Sequence, residues 1–243
     1  MSDAADTGRR VGRPSGDTVA RVNLVAAVAF TIGGSLFALG ALLAQQDIGS
    51  TSTVNVTYLV GGFFFSLGGY ASIVLAVNLG AGARQAAGDR RLRWWSFQPH
   101  DRAWSGAVVL FVGTLLFAVS LVAAFAEELT PRQSNSWIWF PDILGCVCFL
   151  VSGHLGLLVV GGWRRRGRAT GLDWWVVAVN QVGSVLFFLA GISSFTRPAT
   201  SAAINEGLVN WGTFAGALCF AIGGVVQAFD RPSPVQATAT QGQ

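Results

Sequence analysis

Apolar residues gather along the chain into six blocks, at roughly 22–45, 55–78, 104–126, 141–163, 174–195 and 205–228. Each block runs to about 20 residues and carries almost no charge, enough as a helix to cross a hydrocarbon core of roughly 30 Å. The pattern predicts an all-α, polytopic membrane protein with six transmembrane helices. Residues 1–21 and 230–243 are polar and rich in small residues and proline, and are expected to be disordered tails. The first block exceeds the about 7–15 apolar residues of a cleaved signal peptide, so it is read as a true span.

A second pattern lies inside the blocks. Each holds a glycine, a phenylalanine four residues on and a small residue three further. The instances are Gly33-Phe37-Gly40, Gly61-Phe65-Gly68, Gly113-Phe117-Ser120, Gly145-Phe149-Ser152, Gly183-Phe187-Ala190 and Gly216-Phe220-Gly223. At about 100° per residue, offsets of 4 and 7 fall within roughly 60° of one another, so each helix presents one ridge. In lipid, where burial from water does not drive helices together, small residues allow the close approach that does. The six glycines are therefore expected to be helix-packing positions. The longer connections after the second and fourth spans divide the chain into three helical hairpins, at about 22–78, 104–163 and 174–228.

Charge sets the orientation. All 16 basic residues are arginines. Only Arg132 and Arg197 fall on the side of the short loops; the other fourteen lie on the side of the termini. The positive-inside rule then makes both termini cytoplasmic in a multi-pass protein of the cell membrane. Trp94, Trp95, Trp104, Trp163, Trp174 and Trp175 fit an inner aromatic belt, and Trp137 and Trp139 an outer one. The arginines lie in short loops rather than on one basic face, so nucleic acid is not an expected partner. The lipid bilayer is, with anionic lipid a candidate at Arg90, Arg91 and Arg93 in the basic-aromatic stretch RRLRWWSFQPHDRAW. A homo-oligomer or a membrane partner is also open.

Candidate chemistry is sparse. Cys146 and Cys148 are two apart and point about 200° away from each other on a helix, which excludes joint ligation and a C-x-x-C pair. Cys148 and Cys219 each follow the repeat glycine by three and read as packing residues, with no cofactor or metal expected. His154 lies nine after Gly145, about 180° from the ridge. It reads either as a neutral histidine hydrogen-bonded within the bundle or as a proton or ligand site, with Asn180 and Gln181 as candidate partners. Pro141-Asp142 reads as the first turn of the fourth helix, where a carboxylate meets the positive end of the dipole. Glu206 after Asn205 reads the same way for the sixth helix and Asp173 for the fifth. The functional alternative is a shared outer-leaflet pocket of Asp142, Glu206 and Asn210. Ser152 and His154 are two apart on one helix and face different ways, so they form no catalytic pair. No H-E-x-x-H, Walker or dinucleotide fingerprint occurs, and no enzymatic activity is expected.

The stretches GGSLFALGA (33–41), GTLLFAVSL (113–121) and GSVLFFLAG (183–191) resemble the YrhK-like family of small bacterial membrane proteins. Those are two-helix units; this chain would carry three in tandem. The resemblance implies an inner-membrane protein and brings no catalytic residue with it. Two functions are expected to compete: a non-enzymatic helix-packing or interaction module, and a small transporter or channel with a polar pocket around Asp142.

Overall fold

The computed structural model describes residues 16–79, 92–162 and 171–230. These residues are helical apart from their connections, which include one antiparallel bridge, Thr196 to Ala203. The helices are α1 Gly16–Gln45, α2 Thr51–Leu79, α3 Arg102–Ala123, α4 Pro131–Val159, α5 Leu172–Ser193 and α6 Glu206–Phe229. All six are long and apolar enough to cross a membrane. Asp101 caps α3, its carboxylate accepting from the Ala103 and Trp104 amides. Asn205 caps α6 by accepting from the Leu208 amide, so Glu206 does stand in a first turn, as does Asp173 on α5.

Two boundaries correct the sequence reading. Residues 16–21 of the expected N-terminal tail belong to α1; residues 1–15 and 231–243 lie outside the described residues. More consequentially, α4 begins at Pro131, ten residues before the expected start at Pro141. Thr130 and Gln133 form a capping box around Pro131, which occupies the first helical position where a missing N–H costs nothing. The helix then runs through Pro141. Proline offers no N–H to the carbonyl four residues back and crowds it. The turn before it, Asn135–Trp139, widens to a π-helix, in which the Phe140 N–H bonds to the Asn135 carbonyl.

Each helix packs on the next, and α6 packs back on α1, closing a ring of six. Within the pairs α1–α2, α3–α4 and α5–α6 the repeat glycines and phenylalanines are reciprocal. A Cβ on Gly33 would lie 2.8 Å from the Phe65 ring, and one on Gly61 2.8 Å from the Phe37 ring. Gly145 meets Phe117 at 2.8 Å and Gly113 meets Phe149 at 2.9 Å. Gly216 meets Phe187 at 2.8 Å and Gly183 meets Phe220 at 3.2 Å. The cause is helical geometry. Side chains tilt toward the helix N-terminus, so a phenylalanine at i+4 leans back to the level of its own glycine. In an antiparallel neighbour that level is the partner's glycine. Backbones close up there: a Cβ on Gly145 would sit 3.0 Å from the Gly113 carbonyl, and one on Gly183 2.9 Å from that of Gly216.

The six rings meet on the bundle axis. Phe65, Phe149 and Phe220 form a closed triangle with centroids 5.4 to 6.2 Å apart. Phe37, Phe117 and Phe187 pack around it at 5.1 to 5.7 Å from Phe65, Phe149 and Phe220 in turn. The void beside them, lined by five of the rings with Gly62 and Thr114, is about 10 Å³, at the lower limit for one water molecule. A further pair of glycines not in the repeat closes the ring: a Cβ on Gly34 would lie 2.7 Å from the Ala221 nitrogen, and one on Gly224 2.8 Å from the Ala27 carbonyl.

Leucine at Gly145 or Gly183 is therefore expected to lower stability by about 1–3 kcal/mol, the usual cost of overpacking. Leucine at Val182, exposed on the outside of α5, is expected to change it little. Thermal unfolding of the three variants in detergent, followed by monodispersity, checks this; equal tolerance at all three sites would break the packing account.

Candidate functional site

The glycine layer gives a depth scale. Gly113 and Gly183 stand at the centres of the 22-residue helices α3 and α5, which at 1.5 Å per residue are about 33 Å long and match a hydrocarbon core. Asp142 precedes Gly145 by three residues, so its backbone lies about 4.5 Å from that central layer. This overturns the expectation of a shallow carboxylate in a first turn. The dipole of the helix start, eleven residues away, does not reach it.

Asp142 is partly buried in the seam between α4 and α5. A Cβ on Gly191 would lie 3.1 Å from Asp142 Oδ2 and 3.2 Å from Cys146 Sγ. Asp142 and Cys146 are one turn apart on the same face of α4, and the Cys146 thiol donates to the Phe187 carbonyl at 3.4 Å. The repeat explains the placement. Tyr58 precedes Gly61 by three, as Asp142 precedes Gly145, and the Tyr58 ring packs on Gly40 of α1 at 2.9 Å from a would-be Cβ. The same register sets Asp142 opposite Ser120, a buried serine on α3. The second difference is at the seam itself. At the α2–α3 seam a would-be Cβ on Gly62 meets Leu121. At the α4–α5 seam the matching positions are Cys146 and Gly191, and the leucine's space is open to Asp142.

The seam is roofed toward the short-loop end. Trp139 donates from Nε1 to the Gly191 carbonyl at 2.9 Å and packs edge-on against Phe195. Asn135 donates to the Thr196 carbonyl at 2.7 Å and accepts from the Thr196 amide at 2.8 Å. Among the described residues no hydrogen bond or ion pair reaches the Asp142 carboxylate.

The other expected members do not join it. Glu206 is exposed at the tip of α6, ten residues and about 15 Å from the level of Gly216. Asn210, one turn further in, is partly buried, but α6 is not a ring neighbour of α4. The shared pocket of Asp142, Glu206 and Asn210 is thus split by axial distance and by ring order. His154 is exposed on the outer surface rather than bonded within the bundle; a position opposite the ridge points outward. Asn180 and Gln181 turn to other neighbours. The Asn180 amide oxygen rests on Gly223 of α6 and that of Gln181 on Gly153 of α4, both so close that a Cβ would overlap them. Neither oxygen has a conventional donor, and the glycine Cα–H groups face them.

The cysteines follow their spacing. Cys146 faces α5, while the Cβ atoms of Cys148 and Cys219 sit 2.9 Å from would-be Cβ positions on Gly113 and Gly183. All three are free thiols, and no cluster of three metal-ligating side chains occurs among the described residues. Arg90 and Arg91 lie outside the described residues; Arg93 lies within them.

Among the described residues these features define a bundle of six helices apolar enough to cross a membrane, with one interior carboxylate. No family model, curated protein or solved structure matches the chain.

Replacing Cys148 and Cys219 with alanine keeps the Cβ that packs on glycine and removes only the sulfur. Yield and melting temperature are expected to stay near wild type. Stoichiometric zinc or iron in the purified wild-type protein, lost from the double variant, would contradict a packing role.

Proposed function

We propose that the chain is a non-enzymatic module of the bacterial inner membrane, a three-unit relative of the YrhK-like proteins with both termini cytoplasmic. It acts through what its lipid-facing belt and its two ends contact, and not by passing solute along its axis. The filled axis carries this reading: six aromatic rings meet at the bundle centre and leave a void of only about 10 Å³, lined by five of them with Gly62 and Thr114, and the glycine ridges are spent within the chain. The arginine asymmetry supports the orientation. Alkaline phosphatase fused after Gln243 is expected to be inactive, and fused after Gly49, in the α1–α2 connection, active. An active C-terminal fusion would reverse the topology.

One observation favours a second reading, a small transporter or channel. Ionisable groups inside a span are costly and mark ion or substrate sites by default, and Asp142 stands about 4.5 Å from the central layer. Melting temperatures of wild type and Asp142→Asn across a series of monovalent and divalent cations separate the two. The packing module predicts parallel responses in both proteins. A saturable stabilisation present only in wild type would replace the first reading with the second.

A further inference from the structure

The connection between α2 and α3 is more than a tether. Its described part, Leu92–Asp101, is a strap pinned to both helices. Asn78 near the end of α2 donates to the Arg93 carbonyl at 2.8 Å and accepts from the Arg93 amide at 3.1 Å. The Tyr70 hydroxyl donates to the Trp94 carbonyl at 3.4 Å. On the α3 side the Ser105 hydroxyl donates to the Pro99 carbonyl at 3.1 Å, and Trp95 and Phe97 pack edge-on against the buried Trp104 at 5.9 and 5.4 Å.

This well-anchored strap turns large apolar groups outward. Trp94 is 63%, Trp95 55% and Phe97 74% exposed. In a strap facing water, three such side chains in four residues would be an unexplained cost. Their depth gives the explanation. Tyr70 follows Gly61 by nine residues and Trp104 precedes Gly113 by nine. Both anchors therefore lie about 13.5 Å from the glycine layer, against about 15 Å for half a hydrocarbon core. The strap folds back to the boundary where tryptophan is preferred. Its charge is that of a headgroup receptor. Arg93 and Arg102 flank the aromatics, and the one carboxylate in the segment, Asp101, is engaged in capping α3.

We propose that the strap Leu92–Asp101, with Arg102, is a binding site for an anionic glycerophospholipid of the leaflet at the termini end. The phosphate lies against Arg93 and Arg102, and Trp94, Trp95 and Phe97 rest among the headgroup–acyl boundary. The inference deepens the membrane-module reading and rests on the helices spanning a bilayer.

Two measurements on the full chain test it. In detergent, phosphatidylglycerol is expected to raise the melting temperature saturably, with phosphatidylcholine and free glycerol phosphate giving less. Arg93→Gln with Arg102→Gln should weaken the phosphatidylglycerol effect about 30-fold, near fivefold per cation at an anionic surface. Arg132→Gln with Arg197→Gln, at the other end, should leave it unchanged. Equal effects of the two lipids, or equal loss in both double variants, would overturn the site. The second measurement covers misfolding of the arginine variant. In vesicles of equal phosphatidylglycerol and phosphatidylcholine with brominated acyl chains, the emission difference between wild type and Trp94→Phe/Trp95→Phe should be bromine-quenched and shielded from aqueous iodide. Iodide quenching without bromine quenching would place the strap in water and overturn the proposal. The residual emission of that variant, which includes the exposed Trp211 of α6, separately reports whether the helices lie in the bilayer. Loss of bromine quenching there would sink the membrane reading itself.

Discussion

A phenylalanine ring leaning back one turn over its own glycine, and into the glycine of an antiparallel neighbour, is the contact on which this bundle depends. It does two things at once. The glycine removes the Cβ that would hold the helices apart, and the ring fills the space in front of the paired backbones. Because the same contact recurs in three successive helix pairs, the six rings converge on one level and fill the axis. Without water to drive association, such close van der Waals contact is the main attraction available. Edge-to-face geometry adds roughly 0.5–1.5 kcal/mol for a favourable aromatic pair. Most of the neighbouring rings here meet at steep angles, such as 88° for Phe37 and Phe65.

Hydroxyls inside the spans are dealt with locally, which sets the interior carboxylate apart. The hydroxyls of Thr31, Ser72, Thr114, Ser184 and Ser193 donate to carbonyls three or four residues back in their own helices. Asparagines act as staples at the ends. Asn23 joins α1 to the carbonyls of Gln227 and Asp230, and Asn55 joins α2 to the Ala124 carbonyl. Asp142 has neither solution. It sits where α2 places a tyrosine, in the seam where a glycine replaces the bulk of Leu121. A tilted ring there would pack on a small neighbour; a carboxylate instead sits against Gly191 with no donor of its own among the described residues. The departure from the repeat, rather than the repeat itself, singles out this position.

The sequence made the ridge legible because glycine, phenylalanine and small residue recur at fixed offsets in every span, and the offsets alone put them on one face. The pairing of those faces followed from chain connectivity. The start of α4 was misread for a physical reason. Pro141 is a strong helix-start signal, and it outweighed the Thr130-Pro131-Arg132-Gln133 capping box ten residues earlier, which holds the same signal in fuller form. Only a π-turn lets both prolines share one helix, and no periodicity in the intervening residues announces it. Everything placed relative to Pro141 shifted with it, including the depth of Asp142 and its pairing with Glu206. His154 shows a milder failure: its angle from the ridge was read correctly, but an outward face was not drawn from it. The closure of the ring by Gly34 and Gly224 was hidden because those glycines sit beside the repeat and outside its spacing.

The distribution of packing limits where this molecule can act. The α1–α6 closure brings backbone against backbone, and the glycine layer is filled with aromatic rings, so neither yields easily to a ligand. The α4–α5 seam has no reciprocal glycine–phenylalanine pair to close it. It is also where the π-turn, the in-helix proline and the interior carboxylate come together. A π-turn is held by fewer well-aligned hydrogen bonds than the helix on either side, and here it is steadied from outside by Asn135 on Thr196 and Trp139 on Gly191. Those clamps reach from side chains of α4 to the end of α5 and to the α5–α6 connection. Both contacts lie between the loop end of the seam and Asp142. The carboxylate is thus guarded by a set of neutral hydrogen bonds rather than by bulk, a different arrangement from the aromatic seal on the axis one turn below.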